Sequence, residues 1–387
     1  MRRSRDFFHN FFHSEKVAGG LLVVCTLVSL LIANGPGGAG YIHFFHQELG
    51  PAGAKLHLSI EHWVNDGLMA IFFLMVGLEV ERELYVGELA SLRKAVLPLV
   101  AAVGGMVVPA LIHFALNRGT STQSGFAIPM ATDIAFALGI LSLAGRRAPV
   151  AVKVFLAALA IIDDIGAILM IAFFYTRTIQ LAYLLGALGI FAGLLLMNRL
   201  RVRQLLLYLV PGVLLWYCLL QSGVHATIAG VLLAFAIPFH EVDDRNISLR
   251  LQHFLHKPVA FLILPVFALA NTAIALPADI MAALSGRNSL GVILGLFVGK
   301  VTGILFASWL VLRLRIADRQ EGLGWRALTG AGFLGGIGFT MSMFIANLSF
   351  TDGALVTASK LGILLASTLS ALIGLLVFYL RKPAAAA

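Results

Sequence analysis

The chain has 387 residues, of which 59% are hydrophobic and only 12% are charged, and its formal net charge is +9. Because a soluble globular protein carries about 25% charged residues, this chain has too few to cover a water-exposed surface of its size. The composition excludes a soluble protein and indicates a chain that is surrounded largely by lipid.

Apolar stretches long enough to cross a bilayer recur along the whole sequence. A transmembrane helix needs about 20 predominantly apolar residues. Several connections are very short, and only residues 221–223 separate the seventh stretch from the eighth, which leaves no room for a soluble domain. We therefore predict an all-α polytopic membrane protein, with residues 1–387 as a single transmembrane domain. The twelve predicted spans are 16–34, 62–84, 95–117, 125–143, 150–175, 181–199, 204–220, 222–238, 254–276, 289–312, 327–350 and 357–380.

The positive charge follows this topology. If the N-terminus is cytoplasmic, most of the 28 Lys and Arg residues fall in inner segments and few fall in outer ones. Short cytoplasmic loops of membrane proteins carry such an excess of Lys and Arg, so we expect both termini to be cytoplasmic. Since the basic residues are spread over the inner loops in this way, the net charge does not indicate a nucleic-acid partner.

Four charged residues lie near the middle of predicted spans, namely Asp133 in the fourth, Asp163 and Asp164 in the fifth, and Lys300 in the tenth. Each charge at a helix centre costs roughly 2.5–3.5 kcal/mol, so together they cost on the order of 10 kcal/mol unless they are paired or hydrated. One such charge could belong to a buried ion pair that only sets the register of two helices. Three acids and a lysine at one depth indicate an ion site. Asp66, near the outer end of the second span, is a further acid inside the membrane.

The two adjacent aspartates point in different directions. Neighbouring residues on a helix differ by about 100° in direction, so Asp163 and Asp164 cannot face one partner squarely. One of them can meet Lys300 while the other faces a cavity. Clustered carboxylates release their protons in coupled steps that belong to the group. Such a cluster can hold protons and give them up when a cation arrives, which is the physical requirement for exchange at one site.

Two spans carry residues that interrupt helices. The fourth contains Pro129, which removes a backbone donor and disfavours helix just before it. The eleventh contains Gly335, Gly336 and Gly338, each of which weakens a helix by roughly 1 kcal/mol. Close packing of helices is the other explanation for the glycines. Because Asp133 follows the proline segment directly, we predict that the fourth and eleventh spans are broken.

The two broken spans occupy matching positions. The fourth span is the second of three in 95–175, the eleventh is the second of three in 289–380, and the two triplets run in opposite directions. Interrupted spans at corresponding positions of two repeats indicate a transporter site. The sequence therefore predicts inverted-topology repeats of helices 3–5 and 10–12. Asp133 could neutralise the positive ends of the half-helices and Lys300 the negative ends.

The segments around these residues resemble bacterial NhaA-type sodium/proton antiporters over nearly the whole chain. The segments that carry the resemblance are FLMVGLEV at 73–80, ATDIAFA at 131–137, AIIDDIGA at 160–167, SGVHAT at 222–227, GK at 299–300 and GIGFTMS at 336–342.

The resemblance implies an inner-membrane transporter, not an enzyme, with helices 4 and 11 unwound and crossing. It would exchange cytoplasmic Na⁺ or Li⁺ electrogenically for external H⁺, without a cofactor, and control pH and sodium content. It implies that Asp163 and Asp164 bind the cation and carry protons. Asp133 and Lys300 would balance the helix dipoles, with Lys300 also pairing with Asp163, and Thr132 would contribute a ligand or a backbone cap.

The resemblance also implies activity at neutral to alkaline pH, set by a cytoplasmic sensor region. Gln252 stands where a glutamate is expected, so the pH of activation is left open. A histidine taken alone is more often a loop or packing residue than a sensor. The pH-response candidates are Glu79, Arg82, Glu83, His225, His253, His256 and Gly338.

The outer segment 35–61 corresponds to a β-hairpin that family members use for dimerisation, so the expected partners are lipid, small cations and a second copy of the chain. Three other functions are each compatible with part of the sequence. An intramembrane aspartyl protease also needs two aspartates, but the Gly-x-Gly-Asp signature is missing before Asp133 and Asp163. A cation channel seldom needs a lysine paired with acids at the midplane. A Na⁺-coupled organic-anion transporter is disfavoured by two adjacent aspartates.

Overall fold

The computed structural model describes residues 2–51, 53, 55–176, 179–239, 246–318 and 322–380, with side chains from residue 16 onwards except at position 92. The described chain is helical apart from one two-stranded ladder. The elements are α1 Arg2–Ala33, α2 Gly38–His46, β1 Glu48–Leu49, β2 Leu58–Ser59, α3 Ile60–Tyr85, α4 Leu92–Leu116, a 3₁₀ helix Ser121–Met130, α5 Ile134–Leu143, α6 Val150–Phe174, α7 Leu181–Arg199, α8 Leu206–Ser222, α9 Ile228–Ala236, α10 Ile247–Asn271, α11 Ile280–Ser285, α12 Arg287–Arg313, α13 Trp325–Gly335, α14 Phe339–Ser349 and α15 Gly353–Tyr379.

Ten of the twelve predicted spans correspond to long apolar segments. Among the described residues, eight helices are long and apolar enough to cross a bilayer, and two bent helix pairs raise that number to ten. The predicted seventh and eighth spans correspond to α8, with 17 residues, and α9, with nine. Gly223 ends α8 with a left-handed backbone φ of +85°, and helix resumes only at Ile228. At 1.5 Å per residue α9 is about 14 Å long, so the count of twelve stays a prediction.

The chain forms two compact units. The first comprises the described residues of Met1–Val28, Ser91–Ala167 and Ile274–Ala387, and the second those of Ser29–Ala90 and Ile168–Ala273. All four charges near the middle of predicted spans fall in the first unit.

In the first unit, α4 and α12 touch backbone to backbone. A Cβ atom added to Gly303 would lie 2.1 Å from the carbonyl oxygen of Gly104, and one added to Gly104 would lie 2.4 Å from that of Gly303. Small residues allow membrane helices to approach this closely. The contact also places α4 beside the Lys300 side chain, whose Cδ lies 3.7 Å from an added Cβ on Gly105. A π-helical turn at Gly295–Gly299 immediately precedes Lys300.

Both predicted interruptions are confirmed. The 3₁₀ helix and α5 meet at a bend of 46°, and α13 and α14 meet at a bend of 43°. The peptide N–H of Asp133, in the first break, donates to the carbonyl of Ile337, in the second, at 2.7 Å. The Ser342 hydroxyl donates to the Ile128 carbonyl at 2.7 Å. The two breaks therefore satisfy part of each other's backbone hydrogen bonding.

In the second unit, α3 packs against α9 and carries the outer segment. A Cβ added to Gly230 would lie 2.1 Å from the Ala70 carbonyl oxygen, so these helices are also in backbone contact. Segment 35–61 was predicted as a loop with a possible β-hairpin. It contains α2 and an antiparallel ladder in which Glu48 pairs with Ser59 and Leu49 with Leu58.

The α4–α12 contact leads to a stability prediction. Gly303→Ala places a methyl group against the backbone of α4, and such overpacking costs about 1–3 kcal/mol. We expect a clearly lower melting temperature for the detergent-solubilised variant, measured by intrinsic fluorescence. Gly193→Ala is the matched control, because a Cβ on Gly193 of α7 meets nothing within 4 Å. A wild-type melting temperature for Gly303→Ala would contradict the observed packing.

Candidate ion-binding site

The candidate site lies in the first unit, where the two broken spans meet. Asp133 caps the second helix of each broken span, namely α5 and α14. Its Oδ1 accepts the N–H of Phe136 at 2.9 Å, and its Oδ2 accepts the N–H of Thr340 at 3.1 Å together with the Thr340 hydroxyl. These N–H groups belong to the first turns of α5 and α14, where helices carry unsatisfied donors and partial positive charge. The Asp133 carboxylate therefore serves two helix N-termini at once.

Lys300 caps an opposite end. Its ammonium group donates to the carbonyl oxygen of Met130, the last residue of the 3₁₀ helix, and to Asp163 Oδ2 at 2.7 Å. Both Lys300 and Asp163 have no exposed surface. Burial of an ion pair costs desolvation energy, which a short contact between the two charges offsets in part. The pair is therefore a buried salt bridge that also neutralises a helix C-terminus.

Thr132 links the pair to the second break. Its hydroxyl oxygen lies 2.7 Å from Asp163 Oδ2 and 2.7 Å from the carbonyl oxygen of Gly335, the last residue of α13. A hydroxyl has one proton, so it can donate to only one of these oxygens at a time. The oxygen to which Thr132 does not donate can accept another hydrogen bond or contact a cation. The hydroxyl can therefore respond to a change of charge on Asp163.

The remaining oxygens of the two adjacent aspartates are candidates for ion binding. Asp163 Oδ1 is buried and has no hydrogen-bond partner among the residues that the structure describes. Asp164 is 1% exposed and lies within electrostatic range of Lys300. Hard cations such as Na⁺ take oxygen ligands, which carboxylates, hydroxyls and carbonyls supply. No group of three or more His, Cys, Asp or Glu side chains arranged for a metal ion occurs in the described part of the chain.

Five of the predicted pH-response residues lie on α3 and α10 of the second unit. Glu79, Arg82 and Glu83 lie together at one end of α3, with an Arg82 nitrogen 3.5 Å from Glu79 and 2.9 Å from Glu83. His253 and His256 lie on α10, which packs against α3, and His256 is within electrostatic range of Arg82 and His253.

The remaining residues predicted for pH response or as a membrane acid are Gly338, His225 and Asp66. Gly338 belongs to the first unit, where it precedes α14, and a Cβ on it would lie 2.2 Å from the Ser342 hydroxyl oxygen. His225 is in the second unit, and its Nε2 lies 2.8 Å from the Tyr175 carbonyl oxygen. Asp66 is half-buried in a π-helical turn of the same unit, and its carbonyl accepts the Trp216 indole N–H at 2.9 Å.

Comparison with known proteins identifies a family and relatives of this chain. The family model described as Na⁺/H⁺ antiporter 1 matches residues 9–378. Three relatives named Na⁺/H⁺ antiporter NhaA are 56% identical in Dechloromonas aromatica, 54% in Flavobacterium psychrophilum and 48% in Mesorhizobium japonicum. These alignments cover 95%, 95% and 99% of this chain and 94%, 94% and 97% of the relatives, respectively.

The chain belongs to the Na⁺/H⁺ antiporter 1 family. It is therefore a multi-pass membrane transporter and not an enzyme, as the resemblance implied. The family match spans the broken helices and all four of the charges near the middle of predicted spans.

Sequence reasoning about this member of the antiporter family missed several polar groups. Thr340 lies next to the glycines of the eleventh span, and the structure places its hydroxyl on Asp133. Glu81 was not singled out, yet it is only 5% exposed and accepts the Ser248 hydroxyl at 3.0 Å. Gln252, one turn beyond Ser248, is also buried, and its Oε1 has no partner among the described residues. Their helical spacing was the available signal, since Ser248 and Gln252 lie four residues apart on one face of α10.

The candidate site leads to a prediction about the buried ion pair of Lys300 and Asp163. Lys300→Met leaves Asp163 buried without its cation, and breaking a buried pair in this way costs about 3–5 kcal/mol. We expect a large drop in melting temperature for Lys300→Met and for Asp163→Leu. In the double variant neither charge is left unpaired, so its melting temperature should lie well above that of the less stable single variant. Additive losses in a double-mutant cycle would contradict a direct coupling between the two side chains.

Proposed function

We propose that this chain exchanges cytoplasmic Na⁺, or Li⁺, for external H⁺ at the site formed by Asp133, Asp163, Asp164, Lys300 and Thr132. The observation that supports this most strongly is the buried contact between Lys300 and Asp163, with Asp164 next to it in the same helix. The names of the relatives supply the ions, since those proteins are named Na⁺/H⁺ antiporters. The transported ions are substrates, and no cofactor takes part.

Exchange follows from competition for the same oxygens. A cation that enters between Asp163 and Asp164 needs their carboxylates ionised, whereas a proton on either group removes a negative ligand. Protons and cations therefore exclude each other from the site, which couples the exit of one to the entry of the other. Lys300 holds Asp163 Oδ2, so its ammonium competes with a cation for that oxygen and can pass a proton to it.

Asp133 has a different role in this proposal. It accepts three hydrogen bonds from the ends of α5 and α14, which leaves little of its charge for a transported ion. We assign it to the stabilisation of the broken helices. If two protons enter for each cation that leaves, the cycle moves net charge, and each charge gains about 2.3 kcal/mol per 100 mV of membrane potential.

Two observations support a cellular location, namely the basic residues of the predicted inner loops and the bacterial sources of the relatives. We propose a bacterial inner-membrane protein with both termini in the cytoplasm, acting in pH and sodium homeostasis. The β1–β2 ladder in segment 35–61 is the candidate dimerisation element of a homodimer. The adjoining faces of α3 and α10, with Glu79, Arg82, Glu83, His253 and His256, are the candidate region for activation at neutral to alkaline pH.

Transport in everted membrane vesicles tests the exchange. An acid-inside gradient is formed and followed with an acridine dye, and Na⁺, Li⁺ or K⁺ is added between pH 6.5 and 8.5. We expect Na⁺ and Li⁺, but not K⁺, to dissipate the gradient with wild-type protein, and no cation to do so with Asp164→Asn.

The control for this assay is Asp352→Asn, which changes a carboxylate at the start of α15 while asparagine caps a helix as well as aspartate does. This variant should exchange like the wild type. Cation-driven current without proton movement would indicate a channel instead. Peptide cleavage that depends on Asp163 and Asp164 would indicate an aspartyl protease.

A pH-dependent contact is expected at Glu81. Glu81→Gln is isosteric and cannot ionise, so it keeps a neutral group against Ser248 at every pH. If ionisation of Glu81 weakens the α3–α10 contact and activates transport, the variant should show a flattened rise in exchange rate between pH 6.5 and 8.5. Asp279→Asn, at the exposed start of α11, should retain the wild-type profile, because asparagine also caps a helix. An unchanged profile for Glu81→Gln would remove this residue from the activation mechanism.

A further inference from the structure

The C-terminal end of α12 has an unusual termination. The helix ends at Arg313, and Arg315 then adopts a left-handed backbone with φ of +56°. The N–H of Ile316 donates to the Val311 carbonyl at 3.1 Å, and that of Arg315 to the Leu312 carbonyl at 3.2 Å. Glycine is the usual residue at this position, because other residues are strained there. An arginine in place of glycine suggests that its side chain has a use.

The same termination occurs a second time. After α7, Arg201 adopts a left-handed backbone with φ of +58°, and the N–H of Val202 donates to the Met197 carbonyl at 3.1 Å. Both places read Arg-Leu-Arg followed by a β-branched residue. Only one other non-glycine residue among those described, Lys55, has a positive φ.

A cavity with three charged side chains in its lining adjoins the end of α12. It has a volume of about 610 Å³, within the range of small-molecule sites, and its lining includes Trp309, Arg313, Arg315, Asp318 and Trp325. Neither guanidinium group forms a hydrogen bond or ion pair with the residues that the structure describes. Among the described residues that line the cavity there are two guanidinium groups and one carboxylate, so these side chains give it an excess of positive charge.

An exposed apolar strip leads along α12 to this cavity. Phe306 is 61% exposed and stacks on Trp309, with ring centroids 6.0 Å apart, and Leu310 is also exposed. Residues 306, 309, 310 and 313 recur at helical spacing, so they share a face of α12. The apolar strip can contact the acyl chain of a lipid, while the two arginines bind a charged group at the end of that chain. Tryptophan side chains are typical of the level at which lipid headgroups lie.

We propose that Arg313 and Arg315, flanked by Trp309 and Trp325, bind the phosphate headgroup of an anionic phospholipid. Guanidinium groups bind phosphate oxygens in a bidentate manner, and two of them at one helix end match the charge of such a headgroup. The apolar strip favours a lipid over a free phosphate ion, which would have no use for it. The inference rests on the proposed topology only in assigning the lipid to the cytoplasmic leaflet, which is rich in anionic lipids.

Lipid binding is measured without ion transport, so the outcome is independent of the proposed exchange. Purified full-length protein in detergent is titrated with phosphatidylglycerol, phosphatidylcholine or inorganic phosphate, with native mass spectrometry and melting temperature as readouts. We expect wild type to bind phosphatidylglycerol at least tenfold more tightly than phosphatidylcholine. The Arg313→Gln/Arg315→Gln variant should lose that preference, and Arg146→Gln, another exposed arginine in a predicted inner loop, should keep it.

Arg315→Gly separates binding from folding. Glycine suits the left-handed position, so the lipid-free variant should melt at or above the wild-type temperature, while its affinity for phosphatidylglycerol falls. Unchanged affinity in both arginine variants would overturn the proposal. Equal stabilisation by inorganic phosphate and phosphatidylglycerol would overturn the lipid assignment and leave a phosphate site. A lower melting temperature for Arg315→Gly would mean that the arginine serves the fold and not a ligand.

Discussion

Inside a bilayer, every backbone N–H and carbonyl needs a partner within the protein, since lipid offers none. A continuous helix meets this requirement by itself, but the two broken spans of this chain do not. The partners of these backbone groups include side chains, one from the first break itself and one from α12. Asp133 accepts the N–H groups that open α5 and α14, and Lys300 donates to the carbonyl that ends the 3₁₀ helix. The structure of the first unit depends on these few contacts.

The same contacts place the site. Thr132 lies between Gly335 and Asp163, so one hydroxyl joins the backbone of a break to a carboxylate of the proposed ion site. Lys300 likewise contacts both the Met130 carbonyl and Asp163. A proton or cation that changes the charge on Asp163 therefore also changes the hydrogen bonding of both breaks. This shared use of groups gives a physical route from ion binding to a change in helix position.

Glycine contacts hold this arrangement in register. The α4–α12 approach through Gly104 and Gly303 leaves no room for a methyl group, and it lies one turn of α12 beyond Lys300. The π-helical turn on the other side of Lys300 alters the phase of the helix just before the lysine. Since a π-helical turn inserts an extra residue into a helix, it re-aims the side chains that follow it. Lys300 is thus positioned by backbone features on both sides.

Much of this could be read from residue order. Ten of the twelve spans predicted from hydropathy over about 20 residues are long apolar segments in the structure. Hydropathy succeeds here because the cost of burying polar residues in lipid applies to each segment separately. Pro129 and the glycines at 335–338 marked the breaks, and the expense of charge in lipid marked Asp133, Asp163, Asp164 and Lys300. Each of these inferences concerns a local property of the chain, which the order of residues contains.

The pairings between distant residues needed the three-dimensional structure. Thr340 binds Asp133 and Ser248 binds Glu81, because packing brings together side chains that are far apart in sequence. The shortness of α9 likewise depends on the turn at Gly223, which hydropathy averaged over a window does not resolve. Composition and spacing thus located the charges and the breaks, whereas the choice of partner for each charge came from the close approach of helices, which sequence spacing does not contain.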